Sequence, residues 1–189
     1  STLGHADCRV LVISNATVND LYGETLVSSL TSAGFRVSVW LMKDGEEHKS
    51  LASVTKALKA MSSAGLERTD AIVALGGGVV GDLAGFAASV YLRGIKFLQI
   101  PTTLLAMVDS SVGGKTGVNA AFGKNMIGAF HQPSGVLVDT NVLETLPVRE
   151  MTAGLCEMVK HAAISGPKLM ESTRDWLKDR DERQLQKLI

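Results

Sequence analysis

Hydrophobic positions in the first hundred residues recur with two different periods. Residues 8–14 (CRVLVIS) are a short run of Val, Leu and Ile, the pattern of a buried strand. Leu21, Leu26, Val27 and Leu30 then recur at helical spacing, with Asn19 or Asp20 placed to cap the helix and Gly34 to stop it. Residues 35–41 (FRVSVWL) predict a second strand. Residues 49–63 carry Leu51, Val54, Leu58 and Met61 on one face and predict a second helix. A third strand, residues 70–75 (DAIVAL), runs directly into glycines. A third helix starts near Val80 through the small residues Ala84, Gly85, Ala87 and Ala88, and residues 95–100 (IKFLQI) form a fourth strand halted by Pro101. Strand and helix alternating at this spacing imply parallel strands joined by right-handed crossovers, an open α/β sheet of Rossmann-like type. Such sheets bind ligands beyond the carboxyl ends of their strands.

Beyond Pro101 the pattern weakens. Residues 102–135 are rich in Gly, Ser and Asn and assign to no clear element, and 136–139 read as one more short strand. Pro147 suits a first helical turn, residues 150–164 read as helix, and 167–189 are charged and helical. The chain therefore divides into an α/β domain, residues 1–146, and the first helices of an α-helical domain, residues 147–189. Its 189 residues allow one domain or a domain with an appendage, and the 46% hydrophobic content argues against disorder. Nineteen basic residues balance nineteen acidic ones, so no global field favours nucleic acid or an anionic membrane. No run approaches the ~20 apolar residues of a membrane span, and no N-terminal signal is visible. Two cysteines, Cys8 and Cys156, exclude a disulfide framework and suit a reducing, cytoplasmic setting.

Eleven of the nineteen glycines fall between Gly76 and Gly128, and the candidate chemistry lies among them. Gly76-Gly77-Gly78-Val79-Val80-Gly81-Asp82 follows a predicted strand and opens a predicted helix, where backbone N–H groups can approach a diphosphate. A tight, closely packed strand-to-helix turn is the alternative, and Asp82 could simply favour the helix dipole. Asp44-Gly45-Glu46-Glu47-His48-Lys49 lies past the second strand. A carboxylate there can take ribose hydroxyls and a lysine can reach a phosphate, although spacing alone favours a solvated turn. Residues 97–138 hold only three charged side chains, Asp109, Lys115 and Lys124, which are expensive to bury unless paired or liganded. Residues 110–114 (SSVGG) and 123–128 (GKNMIG) read as loops able to cradle an anion, closed by Lys115, Lys124 and Asn125, or else as exposed loops with solubilising lysines. Glu157, Lys160 and His161 share a helix face, where spacing alone favours a surface ion pair. One Glu and one His are too few for a closed metal site, and His5, His48 and His131 show no ligand spacing. Cys156, Met107, Met126 and Met158 read as packing.

Four blocks in order, DAIVALGGGVVGDLAGFAASVYLRG, IPTTLLAMVDSSVGGKTGVN, GKNMIGAFHQP and ETLPVRE…GLCEMVKHAAI, closely resemble the 3-dehydroquinate synthase family of sugar phosphate cyclases. The likeness runs from about residue 8 to residue 164. It implies conversion of 3-deoxy-D-arabino-heptulosonate 7-phosphate into 3-dehydroquinate and phosphate, with NAD and a divalent metal, zinc or cobalt, and no net redox change. By resemblance, NAD contacts fall on Asn15, Glu46, Lys49, Gly77, Gly78, Val79, Val80, Asp82, Thr102, Thr103 and Lys124. Asp109, Lys115, Asn125 and Lys160 would line the pocket of the phosphorylated sugar-acid substrate, the last three holding its phosphate. Arg93 would reach that phosphate across a homodimer interface, and Glu157 would bind the metal, which replaces the ion-pair preference drawn from spacing. The family's other two metal ligands are histidines in a later block resembling NFGHTxGHA, which these residues do not include. The chain is therefore expected to be a truncated part of the usual enzyme. A cyclase acting on sedoheptulose 7-phosphate, a metal-dependent polyol dehydrogenase and a non-catalytic NAD-binding module are the competing expectations.

Overall fold

A computed structural model describes residues 8–179 and 181–189, so His5 lies outside the described residues. Among the described residues seven strands form: β1 (Arg9–Asn15), β2 (Arg36–Met42), β3 (Ala71–Gly76), β4 (Lys96–Pro101), β5 (Lys115–Ala120), β6 (Gly123–Phe130) and β7 (Gly135–Val136). Five of them make one parallel sheet in the order β2-β1-β3-β4-β7, and β5 and β6 make a separate antiparallel pair. The helices are α1 (Ala16–Val18), α2 (Glu24–Ser32), α3 (Leu51–Ser63), α4 (Gly78–Val90), α5 (Val148–Ser165), α6 (Pro167–Asp179) and α7 (Glu182–Leu188). The expected parallel α/β sheet is what forms. From β2 the chain recrosses β1 to reach β3, so the carboxyl ends of β1 and β3, at Asn15 and Gly76, flank a topological switch point.

The two faces of the sheet are covered differently. Leu11, Ile13, Ile72, Ala74 and Phe97 pack under α3 and α4, whereas Val10, Val12, Ala71, Val73 and Leu75 pack under Leu30 of α2. Both faces of β3 are therefore buried, which is why its sequence is an unbroken apolar run. A third cluster joins Leu104 and Met107 to Leu143, Met158 of α5, Trp176 of α6 and Leu185 of α7. At Gly154, α5 packs directly on the segment after β4: a Cβ there would lie 2.6 Å from Leu104 Cβ and 2.7 Å from the Leu105 nitrogen.

Several expectations are corrected. The first helical segment is capped by Asn15, whose Oδ1 accepts from the Val18 N–H at 2.9 Å, and Asn19 lies inside a π-helical turn leading to α2. Helix α4 begins at Gly78, before Val80. Residues 123–128 are not a loop but most of β6. The hairpin forms because β5 buries Thr116, Gly117 and Val118 against α4, where Gly85 leaves the room that Thr116 fills. β7 stops at Val136, since the chain turns into a 3-10 segment at Thr140–Thr145. Met107 and Met158 are buried, but Met126 is 60% exposed on β6 and Cys156 is exposed on α5, so neither is packing. Among the described residues no helix is long and apolar enough to cross a membrane.

Candidate active site

The strand-to-helix turn after β3 places Gly77 as the N-cap of α4 without any side-chain capping bond, leaving the first-turn N–H groups of Gly78, Val79 and Val80 facing the carboxyl edge of the sheet. Thr103 and Ser110 crowd this turn: a Cβ on Gly77 would lie 3.0 Å from Thr103 Cγ2, and one on Gly78 3.0 Å from Ser110 Oγ. Thr102 closes the β4 end, its N–H bonded to the Gly76 carbonyl at 3.0 Å. Its buried Oγ1 has no hydrogen-bond partner among the described residues, a cost that a bound polar group would remove. Asn15 stands at the end of β1, its Oδ1 committed to the cap.

Asp82 lies one turn further along α4, beyond the reach of a dipole role in the first turn, and its environment confirms the difference. Burial pushes its carboxyl above the ordinary value, with Lys49 pulling it back and the Glu46 and Asp109 carboxylates adding to the rise. Lys49 is 4% exposed and donates from Nζ to Asp82 Oδ2 and to Asn125 Oδ1, the latter at 2.7 Å. Asn125 holds a left-handed backbone, φ 56°, in the middle of β6. Three residues from three separate sequence blocks thus meet at one ammonium group.

Asp82, Asp109, Lys115 and Asn125 line a cleft of about 430 Å³ between α4, the hairpin and the segment after β4, with Met126 and Phe130 on its hairpin wall. The far side of Asp109 leads to α5. There Asp109, Glu157 and His161 bring donor atoms within 4.8 Å of one another. His161 Nε2 is 3.1 Å from Glu157 Oε1, and Lys160 bonds the same oxygen, which holds Glu157 below the ordinary carboxylate value. Spacing on α5 could show Glu157 and His161 together, but only the fold adds Asp109. A mixed carboxylate and imidazole set suits zinc or cobalt.

Lys124 and Lys160 are exposed, and Glu46 is exposed beyond β2. Arg93 is not brought to this cleft. It follows α4 in a strained left-handed turn, with Leu92 at φ 50° and Arg93 at φ 68°, roughly 15 Å along the helix from Asp82. One further residue belongs to the site's frame. Asn119 bonds Glu46 and the Asn125 backbone. The only signal for Asn119 was an asparagine, a poor strand former, six residues before a second one.

A family model described as 3-dehydroquinate synthase N-terminal matches residues 39–153. A 3-dehydroquinate synthase of Picosynechococcus sp. is 56% identical over 156 residues, 82% of this chain and 43% of that protein. Among solved structures, 2-epi-5-epi-valiolone synthase from Streptomyces hygroscopicus subsp. jinggangensis, with NAD+ and Zn2+ bound, superposes with a TM-score of 0.78 at 37% identity over 82% of this chain and 43% of its own. A 2-deoxy-scyllo-inosose synthase complexed with carbaglucose-6-phosphate, NAD+ and Co2+ gives 0.77 at 36% identity, with 82% and 42% covered. The chain spans less than half the length of these proteins.

Proposed function

The chain belongs to the 3-dehydroquinate synthase family, and from that premise we propose that it is the cofactor-binding part, with the first helices of the catalytic part, of an enzyme converting 3-deoxy-D-arabino-heptulosonate 7-phosphate into 3-dehydroquinate and phosphate. The observation that carries this reading is the meeting of Lys49, Asp82 and Asn125 beside the open first turn of α4. The greater identity to a 3-dehydroquinate synthase than to the two other cyclases supports this substrate over theirs.

The residues fit both groups that the reaction requires. The uncapped turn at Gly77, Gly78, Val79 and Val80 offers N–H donors to a dinucleotide diphosphate, and the unpartnered Thr102 Oγ1 offers it a buried hydroxyl beside Thr103. Glu46 is placed to accept ribose hydroxyls, and Lys124 to reach the nicotinamide side. Glu157, with Asp109 and His161 beside it, provides donors for a divalent metal. When bound, NAD supplies reversible hydride acceptance and the metal polarises the substrate oxygen that is oxidised. Lys115, Asn125 and Lys160 hold the phosphate until it leaves, while Asp109 orients the ring hydroxyls. Arg93, too far along α4 for its own cleft, serves the phosphate site of a second copy in a cytoplasmic homodimer.

A fusion of this chain to the part of the Picosynechococcus enzyme beyond the matched region tests the reading. With NAD+ and zinc it should release phosphate from the heptulosonate phosphate and yield 3-dehydroquinate. Release from sedoheptulose 7-phosphate instead, or none from a folded fusion that binds NAD+, would overturn it.

A further inference from the structure

β5 and β6 pair in register from Lys115 with Phe130 to Val118 with Ile127, then slip by two residues, so that Ala120 faces Gly123 and residues 124–126 of β6 bulge opposite Asn119 alone. Opposite such a bulge the regular ladder is broken, and Asn119 is left without a partner in β6. Asn119 turns outward onto the segment after β2. Its N–H donates to the Lys49 carbonyl at 2.9 Å, and it bridges in parallel to Ser50. Both ends of its side-chain amide are also used, each with the polarity only an amide has. Nδ2 donates to Glu46 Oε1 at 2.8 Å, while Oδ1 accepts the Asn125 N–H at 2.9 Å.

These bonds join two halves of the site. Glu46 opens the 3-10 turn after β2, where its exposed carboxylate keeps Oε2 for a ligand. Asn125 sits on the hairpin, in the left-handed conformation that puts its Oδ1 on Lys49. A left-handed non-glycine residue needs its surroundings to hold it there, and the bond from its N–H to Asn119 does so. We propose that Asn119 is a positioning residue that couples occupancy of the cofactor side at Glu46 to the placement of Asn125 in the phosphate side. This rests on the NAD-dependent reading above. Neither aspartate nor alanine does the same work. Aspartate keeps the acceptor for Asn125 but sets a carboxylate against Glu46, and alanine removes both bonds.

The test is NAD+ titration calorimetry with hydrogen–deuterium exchange on the 189-residue chain. Wild type should bind NAD+, and saturation should slow exchange across residues 115–130. Asn119→Ala should bind about tenfold more weakly and, once saturated, should lose the protection of the hairpin. Asn119→Asp should weaken binding further, and adding Glu46→Gln, which restores a donor to the pair, should recover hairpin protection. A merely structural role predicts no such recovery. Hairpin protection equal to wild type in saturated Asn119→Ala would overturn the coupling and leave the cofactor reading standing. Should Asn119→Ala not fold, an equal loss in Asn119→Asp with and without Glu46→Gln would overturn it too. Failure of wild type itself to bind NAD+ would sink the cofactor reading, and this proposal with it.

Discussion

Lys49 concentrates the electrostatics of the site in one side chain. It is almost wholly buried and donates to both Asp82 and Asn125, so its removal strands a half-buried carboxylate. Lys49→Met should destabilise the chain by about 3 kcal/mol at neutral pH, the lower end of what deleting one partner of a buried pair costs. Because Lys49 is what lowers Asp82 against burial, the same variant should move the Asp82 midpoint further upward, as read from its carboxyl carbon by NMR. The sign for stability follows. The folded protein holds this proton more tightly than the unfolded chain. Stability from Asp82 is thus full below the ordinary carboxylate value and declines as pH rises through the folded value. A midpoint that falls in Lys49→Met would contradict the pairing. Spacing flagged Lys49 and Asp82 separately, as a phosphate contact and a dipole partner, and only the family resemblance put both on the cofactor. Nothing local to either could show that the turn before α3 and helix α4 would set them face to face.

At the scale of elements, the legible parts were those whose packing is reflected in their own periodicity. β1 and β3 are buried on both faces, and their Val, Ile and Leu runs say so. The hairpin was illegible for the opposite reason. It is stabilised through what its residues lack, with Gly117 and Gly128 letting the two strands approach and Gly85 of α4 making room for Thr116. Its outer face carries Asn125 and Met126 for the cleft rather than for a core. The first helix start was misplaced because the cap stands at the strand's last residue and a π-helical turn follows. A Cβ at Gly85 would lie 2.5 Å from Thr116 Cγ2 and 2.9 Å from Phe97 Cζ. Gly85→Ala gains about 1 kcal/mol in helix propensity, yet overpacking costs about 1–3 kcal/mol and should win. Thermal melts should show a lower Tm, partly restored by Thr116→Ser. A raised Tm would mean that the hairpin can ride outward freely.

For the whole molecule, the question is whether the helices after Pro147 stand alone. Their core borrows Leu104 and Met107 from the segment leaving β4, so the third cluster is closed only when sheet and helices are together. One cooperative transition is expected. In a Trp40→Phe background, fluorescence of Trp176, 3% exposed, should change at the same denaturant concentration as the far-UV circular dichroism. Leu104→Ala should cost about 2–5 kcal/mol and shift both signals together. Loss of the Trp176 signal well before the rest would show the helical part to be an independent unit, closer to the division at residue 147 that the sequence suggests.

The close contact at Gly154 has a mechanical consequence. With no side chain of its own at Gly154, the helix rests directly on the stem of Leu104, a fulcrum rather than a cushion, and Glu157 sits only about 5 Å along the axis from it. A tilt of roughly 10° about that point moves Glu157 by only about 1 Å, while Ser165, at the far end of the same lever where the chain enters α6, swings by about 3 Å. Bending of α5 is therefore felt at its tip and hardly at all at the carboxylate that faces Asp109.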